Sequence, residues 1–194
     1  MKAPAHWLLL FIRVFFPLTL VLLLSGCGTR SSPASPQAPG PAAPASFALQ
    51  SPDFQPGERL PAEFTCEGEN RPPRLAWGDP PAGTRSLALV MSDPDAPGGT
   101  FLHWLVYNLP AETRSLGGEA PLPAGAREGR NDFGRKGYGG PCPPPGDRPH
   151  RYVFKLYALG ALLDLPAGAD LAAFTAAVNG QVLGEATLEG LYSR

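Results

Sequence analysis

A mostly β domain is the fold class that this sequence predicts, on three observations. The apolar runs are short, because 23 glycines and 25 prolines interrupt the chain frequently. Three of these runs, Ser86–Met91, His103–Leu109 and Arg151–Leu159, have the length and the flanking turn residues of strands. Only one segment, near the end of the chain, has helical spacing. Several short strands with one or two late helices favour a layered, mostly β architecture.

The strand predictions differ in strength along the chain. Arg151–Leu159 is the strongest, because apolar residues occupy both of its faces, as in a central strand. Ala186–Tyr192 is predicted as a final strand. Weaker strand predictions fall on residues 47–49, 64–65 and 75–77.

One helix is predicted over residues 170–178, where the sequence reads DLAAFTAAV. Asp170 is suited to cap its N-terminus, and the three large apolar residues that follow recur at the spacing of one helix face. The Asn-Gly pair at 179–180 either ends this helix or is only a weak point in it.

The N-terminus has the pattern of a secretory signal. An apolar run, Val14–Leu24, follows basic residues and leads into Leu-Ser-Gly-Cys at positions 24–27. The run is shorter than the roughly 20 apolar residues of an ordinary spanning helix. Its ending resembles a bacterial lipobox, which implies cleavage before Cys27 and attachment of lipid to the cysteine sulfur. The alternative is an uncleaved anchor with residues 7–24 as one helix.

Three regions follow from this pattern. Residues 1–26 are predicted to be a lipoprotein signal peptide, and residues 27–46 the lipidated Cys27 with a linker rich in Pro, Ala and Ser. The linker has no apolar residue larger than alanine, so it cannot bury enough surface to fold. Residues 47–194 are the predicted domain. The domain is therefore expected to be exported across the cytoplasmic membrane and held in a bacterial cell envelope by its lipid.

Two cysteines, Cys66 and Cys142, remain once Cys27 carries lipid. An even number in an oxidising compartment permits a disulfide between them. The alternative is two free thiols in apolar surroundings.

Charge excludes one class of partner. The formal net charge is −1 at pH 7, and the sequence has no basic patch or stripe. Nucleic-acid binding needs such a patch, so no nucleic-acid partner is expected.

Two blocks of polar loop residues mark the candidate site. SDPDAP at 92–97 precedes His103, and NDFGRKGYGGPC at 131–142 precedes His150. Each histidine stands where a loop rich in Gly and Pro enters a strand. A carboxylate can orient one imidazole nitrogen while the other meets a ligand, and Asp93 is expected to orient His103 in this way. Ordinary turn chemistry is the alternative role for the aspartates, and a structural role the alternative for His103.

Four motifs in this order, DPDAP, HWLVYNLP, ND-x-G-x-x-GY-x-GPCPP-x-G and HRY-x-F-x-x-YAL, resemble the phosphatidylethanolamine-binding protein (PEBP) family. The resemblance is greatest to its bacterial branch, called Raf kinase inhibitor-like or YbhB/YbcL-like, and covers roughly residues 47–194. It implies a β-sandwich of a large and a small antiparallel sheet with one or two C-terminal helices. It also implies a small anion pocket at one end of the sandwich.

The resemblance carries roles onto individual residues. The ligand-binding residues that it implies are Asp93, His103, Pro144, His150 and Tyr152. Asp95 matches a carboxylate that braces the first loop. Arg151 is left out of the pocket, because strand alternation turns it away from its two neighbours. The implied ligand is a phosphate-like anion, a carboxylate or a phospholipid headgroup, and neither a metal nor another cofactor is expected.

Three functions are compatible with these residues. The first is a binding module for a small anion at a membrane, and the second is an inhibitor that binds a protein partner, not identified by the sequence, through surface loops. The third is a hydrolase in which two histidines and an aspartate hold zinc or act as acid and base. The absence of HExxH, GxSxG and P-loop motifs disfavours hydrolysis. The absence of Lys and Arg from the predicted pocket predicts weak anion binding.

Overall fold

A computed structural model describes residues 46–194 as a two-sheet β-sandwich with one α-helix. The predicted signal peptide, Cys27 and the linker up to residue 45 lie outside the described residues. Within 46–194 no helix has the length and apolarity needed to cross a membrane. The elements in chain order are β1 Leu49–Gln50, β2 Leu75–Trp77, β3 Ser86–Asp93, β4 Phe101–Pro110, β5 Ser115–Leu116, β6 Arg127–Glu128, β7 His150–Leu159, α1 Leu171–Val178 and β8 Val182–Tyr192.

Both sheets are antiparallel. The larger has the strand order β6-β4-β3-β7-β8, and the smaller has the order β1-β2-β5. Strand β3 is therefore central, with β4 on one side and β7 on the other. Because β3 runs antiparallel to both neighbours, its end at Asp93 lies at the same sheet edge as the starts of β4 and β7.

The larger sheet buries apolar side chains on both faces. One cluster lies between the two sheets and includes Trp77, Leu89, Met91, Phe154 and Leu188. A second cluster lies between the other face of the larger sheet and α1, and includes Val90, Leu105, Tyr107, Phe174 and Val178. Burial on both faces explains why β3 reads as a continuous apolar run instead of an alternating one.

The structure confirms the mostly β fold class and the three strongest strand predictions. The predicted helix is present over Leu171–Val178, and the Asp170 side chain caps it by accepting a 2.9 Å hydrogen bond from the Ala173 N–H. It is the single α-helix among residues 46–194. Strand β8 begins at Val182, four residues earlier than predicted.

The strand prediction at residues 64–65 is wrong. Ala62–Phe64 is a 3-10 turn, and Thr65 donates to the Ala62 carbonyl from its N–H at 2.9 Å and from its hydroxyl at 2.8 Å. These bonds bend the chain back at the point where a strand would extend it. The two-residue strands β5 and β6 were not predicted, because two residues carry no periodicity.

Candidate functional site

A cavity of about 240 Å³ opens at the sheet edge where β3 ends and β4 and β7 begin. All five residues predicted to bind ligand line it. The lining consists of Asp93, Ala96, Pro97, Phe101, His103, Phe133, Cys142, Pro143, Pro144, His150 and Tyr152. Asp93, His103 and His150 are each 3% exposed. The cavity is smaller than the roughly 300–1,000 Å³ typical of pockets for drug-sized ligands, so it suits a small group.

Strand alternation accounts for the position of two of these side chains. His150 and Tyr152 are two residues apart on β7 and share its inner face with the buried Phe154. Arg151, between them, points outward and is exposed, as the sequence predicted. Asp93 lies on the inner face of β3, two residues after the buried Met91.

His103 reaches the same face only because β4 is irregular. Met91 pairs with Trp104, but the next residue of β3, Ser92, pairs with Leu102, so His103 is left without a partner in the ladder. This is a β-bulge, which re-aims a side chain. Trp104 packs in the cluster between the sheets, and strict alternation would turn its neighbour His103 to the opposite face. With the bulge, the His103 ring instead lies 5.2 Å from the Tyr152 ring, centroid to centroid.

Asp93 orients His150, not His103, which corrects the prediction. The Nδ1 atom of His150 lies 2.8 Å from Oδ2 of Asp93, and both side chains are buried. The other oxygen of Asp93 accepts a 2.8 Å bond from the Asp95 N–H. The Nε2 atom of His150 remains on the cavity side, 3.6 Å from Oδ2 of Asp147.

His103 is oriented by a neutral group. Its Nδ1 atom lies 2.7 Å from the carbonyl oxygen of Gly139. A carbonyl only accepts, so Nδ1 carries the proton and Nε2 is the nitrogen free for a ligand. Burial lowers the pKa of His103, and the Gly139 carbonyl and the charge of Asp93 oppose this shift only in part.

Tyr152 contributes a hydroxyl with no partner. Its oxygen is buried and makes no hydrogen bond of normal distance and angle to any described residue, although the Asp93 carboxylate and the Cys142 backbone are polar groups in its neighbourhood. Burial raises the pKa of Tyr152, and the negative charge of Asp93 adds to the shift. The hydroxyl therefore keeps its proton at physiological pH and can donate it to a ligand.

Asp95 connects the first site loop, residues 92–97, to β7. It accepts bonds from the Arg151 N–H at 3.0 Å and from Nε of Arg151 at 2.9 Å, and Arg148 adds an ion pair at 3.1 Å. The hydrogen bonds from Arg151 hold the pKa of Asp95 well below its usual range. Asp95 does not line the cavity, so it supports the site by holding this loop in place.

A disulfide joins the second site loop, residues 131–142, to Cys66. Cys66 and Cys142 are joined, with Cα atoms 5.4 Å apart. Cys142 also lines the cavity, a position that the sequence did not predict for it. Backbone bonds hold the same loop: the Cys66 N–H donates to the Pro141 carbonyl at 3.0 Å, and the Gly140 N–H donates to Oδ1 of Asn70 at 2.7 Å.

Sequence reasoning missed the aromatic residues of the cavity. Phe101 and Phe133 both line it, and Phe133 is 42% exposed. Phe133 lies inside the motif that was singled out, but an apolar residue in a polar loop carried no signal by itself. Among the described residues no group of three or more His, Cys, Asp or Glu side chains is arranged to hold a metal ion.

Comparison with known sequences identifies relatives across the whole domain. The family model for phosphatidylethanolamine-binding proteins matches residues 50–193. A UPF0098 protein of Aquifex aeolicus is 48% identical over 145 residues, which cover 73% of this chain and 85% of the relative. LppC of Mycobacterium tuberculosis, whose name proposes a lipoprotein, is 39% identical over 188 residues, which cover 90% of this chain and 92% of the relative.

Solved structures of two bacterial proteins share the fold. Escherichia coli YbcL, described as a new member of the mammalian PEBP family, matches with a TM-score of 0.73 and 37% identity over 77% of this chain and 99% of YbcL. The PEBP homologue CT736 of Chlamydia trachomatis matches with a TM-score of 0.72 and 34% identity over 78% of this chain and 99% of CT736. With the family model covering most of the domain, these matches show that the chain belongs to the phosphatidylethanolamine-binding protein family.

Proposed function

We propose that this protein binds a small anion, a phosphate-like group or a phospholipid headgroup, in the cavity at the sheet edge where β3 ends and β4 and β7 begin. Two imidazoles and one phenol converge on a space whose remaining lining is largely proline and phenylalanine. The unpartnered Tyr152 hydroxyl carries the proposal. A buried polar group without a partner costs about 1–3 kcal/mol, and a ligand oxygen would remove that cost.

The hydrogen bonds of the two histidines determine how an anion would bind. Each Nδ1 is already directed at an acceptor, the Gly139 carbonyl for His103 and the Asp93 carboxylate for His150. The nitrogen left for a ligand is therefore Nε2 in both rings. Neutral Nε2 offers only a lone pair, whereas protonated Nε2 donates a hydrogen bond. For an anion to accept hydrogen bonds from the Nε2 atoms as well as from the Tyr152 hydroxyl, it must bring a proton with it or a proton must be taken up from solvent.

This requirement sets the direction of the pH dependence. A proton on His150 makes a cation beside the Asp93 carboxylate, but a proton on His103 makes a cation beside a neutral carbonyl and aromatic rings. Because burial lowers the pKa of His103, its protonation needs a more acidic solution or a bound anion. Anion affinity should therefore fall as the pH rises.

Titration with inorganic sulfate tests the proposal, because sulfate mimics phosphate without changing its own charge between pH 5 and 8. We expect sulfate to shift the ring resonances of His103 and His150, to bind more tightly at pH 5.5 than at pH 7.5, and to take up protons on binding. Calorimetry in buffers of different ionisation enthalpy measures that uptake.

Two tyrosines on β7 supply a matched pair of variants for this titration. Tyr152→Phe removes the hydroxyl from the cavity and should weaken binding about fivefold or more. Tyr157→Phe removes a hydroxyl from the opposite face of the strand and should leave binding unchanged. Equal affinity in wild type, Tyr152→Phe, His103→Gln and His150→Gln would overturn the assignment of the pocket.

We also infer that the protein is exported and tethered to a membrane through lipid on Cys27. The Leu-Ser-Gly-Cys ending of the apolar N-terminal run supports this, and so does the likeness to LppC over 90% of this chain. Intact-mass analysis of protein purified from membranes is the test. A mass that corresponds to lipid on a chain starting at Cys27 is expected, and a chain that retains Met1 would exclude it.

A further inference from the structure

The disulfide between Cys66 and Cys142 lies at the surface of the domain. Both cysteines are exposed, and so are the three residues that follow Cys66. Cys142 also lines the cavity. Disulfides that an external thiol can reach are the ones that undergo exchange, whereas inaccessible ones resist reduction. The position of this bond therefore combines access from solvent with contact to the proposed binding site.

A positive charge lies beside both sulfur atoms. Nη1 of Arg194 is 3.5 Å from Sγ of Cys142 and 3.8 Å from Sγ of Cys66. Among the described residues, no ion pair neutralises this guanidinium. A cation stabilises the thiolate that leaves when a disulfide breaks, and a better leaving thiolate speeds the exchange. Arg194 is therefore placed to make this bond easier to reduce than an exposed disulfide without a charged neighbour.

The segment before Cys142, residues 138–141, is firmly bonded without the disulfide. Each of its four residues bonds to another segment: the Tyr138 hydroxyl donates to the Phe64 carbonyl at 2.7 Å, the Gly139 N–H donates to the His103 carbonyl at 3.0 Å, and Gly140 and Pro141 make the bonds to Asn70 and Cys66 given above. This segment therefore has several connections to the rest of the domain that do not depend on sulfur.

The segment after Cys142 is held far more loosely. Residues 143–149 read PPPGDRP, and their four prolines have no N–H to donate. Their shortest polar contacts to other segments are a 3.2 Å bond from the Gly146 N–H to the Arg194 carbonyl and the 3.1 Å ion pair of the exposed Arg148 with Asp95. Pro143 and Pro144 nevertheless form part of the cavity wall. The disulfide therefore fixes the near end of a wall that few other bonds hold in place.

We propose that the Cys66–Cys142 disulfide is a reversible exchange site for a dithiol protein, and that its reduction weakens anion binding by releasing the Pro143–Pro144 wall. The control of binding rests on the proposed function, whereas the exchange itself does not. With the bond closed, the wall is ordered before a ligand arrives, so binding carries less cost of ordering the loop. With the bond open, the cavity is complete in only a fraction of the molecules, and the apparent affinity falls by that fraction.

The exchange transfers two electrons and two protons from the dithiol to the protein. A thiolate of the dithiol attacks Sγ of Cys66, and the bonding pair of the S–S bond stays on Cys142, which leaves as a thiolate beside Arg194. The second thiol of the dithiol loses its proton and attacks the dithiol's own sulfur in the mixed disulfide, which releases Cys66 as a thiolate. Both cysteine thiolates then take up the protons that the dithiol has lost, and the dithiol becomes a disulfide. Cys66 is the sulfur attacked because it lies on the exposed segment and because Cys142 is nearer the cation.

Reduction of the full chain by dithiothreitol at pH 7 tests the exchange site. The free thiols are trapped with a maleimide, and the labelled Cys66 and Cys142 peptides are counted by mass spectrometry. Arg194→Gln should slow reduction about threefold or more, and Arg194→Lys should restore most of the rate. Arg85→Gln is the matched control, because Arg85 is an exposed arginine directly before β3, at the opposite end of the sheet from the cavity. An unchanged rate in Arg194→Gln would overturn the part assigned to Arg194.

Glutathione, a monothiol, identifies the sulfur that is attacked. At early times after its addition, peptide mass analysis should find the glutathione adduct on Cys66 and the maleimide label on Cys142. An adduct found first on Cys142 would show that the order of attack is the reverse.

Titration with inorganic sulfate at pH 5.5 tests the control of binding. One sample is oxidised, and the other has been reduced with dithiothreitol and then freed of it without air. We expect the reduced protein to bind sulfate about fivefold more weakly, and re-oxidation by glutathione disulfide to restore the affinity. Cys66→Ser/Cys142→Ser should bind like the reduced protein whether or not it has been treated with dithiothreitol. Far-UV circular dichroism should show the same secondary structure in all samples.

Three results would overturn the inference in different ways. Equal sulfate affinity in the oxidised and reduced protein would remove the control of binding and leave the proposed function intact. Loss of the circular dichroism signal on reduction would show that the disulfide maintains the fold instead of regulating the cavity. Absence of sulfate binding by the oxidised protein would overturn the proposed function, and the control of binding with it, while the rate of reduction would still decide whether the disulfide is an exchange site.

Discussion

The two histidine sides of the cavity use the same side chain in different surroundings. On the His103 side, defined by His103, Phe101 and Phe133, the ring bonds to the neutral Gly139 carbonyl and packs against aromatic rings. On the His150 side, defined by His150, Asp93 and Asp147, the ring bonds to one buried carboxylate and lies near a second. Burial disfavours a positive charge on the His103 ring, whereas the His150 ring has a carboxylate beside it. The partner of Nδ1, not the presence of a histidine, therefore decides what each ring can do for a ligand.

Removal of the disulfide should have the largest effect, because it disturbs both sides together. Cys142 is part of the loop between Gly139, which bonds His103, and Asp147, which lies near His150. For a loop of 76 residues the chain-entropy model predicts a loss of about 4 kcal/mol in unfolding free energy. Urea unfolding of Cys66→Ser/Cys142→Ser against wild type measures it. Wild type under reducing conditions should approach the variant, and a loss below about 1 kcal/mol would show that the backbone bonds of the loop suffice.

Asp93 variants should disturb chiefly the His150 side, because Asp93 bonds His150 directly and acts on His103 only through its charge. Asp93→Ala leaves Nδ1 of His150 and the Asp95 N–H without their acceptor in a buried site. Hydrogen bonds to a charged group contribute about 1.5–3 kcal/mol, so we expect a loss of about 2–3 kcal/mol in unfolding free energy.

Two further variants serve as comparisons for Asp93→Ala. Asp93→Asn keeps one acceptor oxygen and should lose less. Asp164→Asn alters an exposed aspartate that is not part of the cavity, and should change the unfolding free energy by less than about 0.5 kcal/mol. The ring resonances of His103 should move little in Asp93→Ala, and a large movement would mean that the two sides are not independent.

The lowered pKa of His103 should make the free energy of unfolding depend on pH. Burial lowers the pKa of His103 in the folded protein, whereas the unfolded chain takes up its proton near pH 6.5. Below that pH the unfolded state binds more protons, so the free energy of unfolding should fall as the pH decreases from 7 to 5. The slope from one proton is at most about 1.4 kcal/mol per pH unit. His103→Gln should flatten the curve measured by urea unfolding in anion-free buffer, and an unchanged slope would contradict the assignment.

The smallest effect is expected from Arg151→Gln. Arg151 is exposed and pairs with Asp95, whose N–H bonds to Asp93, so it supports the His150 side from a distance. The Asp95 side chain is only 6% exposed, but in the variant it keeps its ion pair with Arg148 and the bond from the backbone N–H of residue 151, so the unfolding midpoint should change little. The His150 ring resonances should nevertheless shift, while those of His103 stay in place. Equal shifts at both histidines would show that the Asp95 loop supports the whole cavity.

Much of this molecule follows from local sequence. Short apolar runs bounded by Gly and Pro predicted strands β3, β4 and β7, and Asp170 before three spaced apolar residues predicted α1 with its cap. Strand alternation alone placed His150 and Tyr152 on one face and Arg151 on the other. Each of these features depends on residues that are close together in the sequence, within one or two helical turns or strand repeats. They can therefore be predicted from the sequence directly.

The arrangement of the residues around the cavity depends on contacts between segments that are far apart in the sequence. The bulge that turns His103 inward depends on how β4 pairs with β3, and the pairing of Asp93 with His150 depends on which loop ends next to which strand. The predicted partner of Asp93 was wrong for this reason: His103 is nearer along the chain, and His150 is nearer in space. The sequence did not identify Phe133 as a cavity residue, because its position depends on packing against Gly139 and Phe101. Local periodicity sets the face of a side chain, but register and loop closure set its partner, and those are properties of the folded sheet.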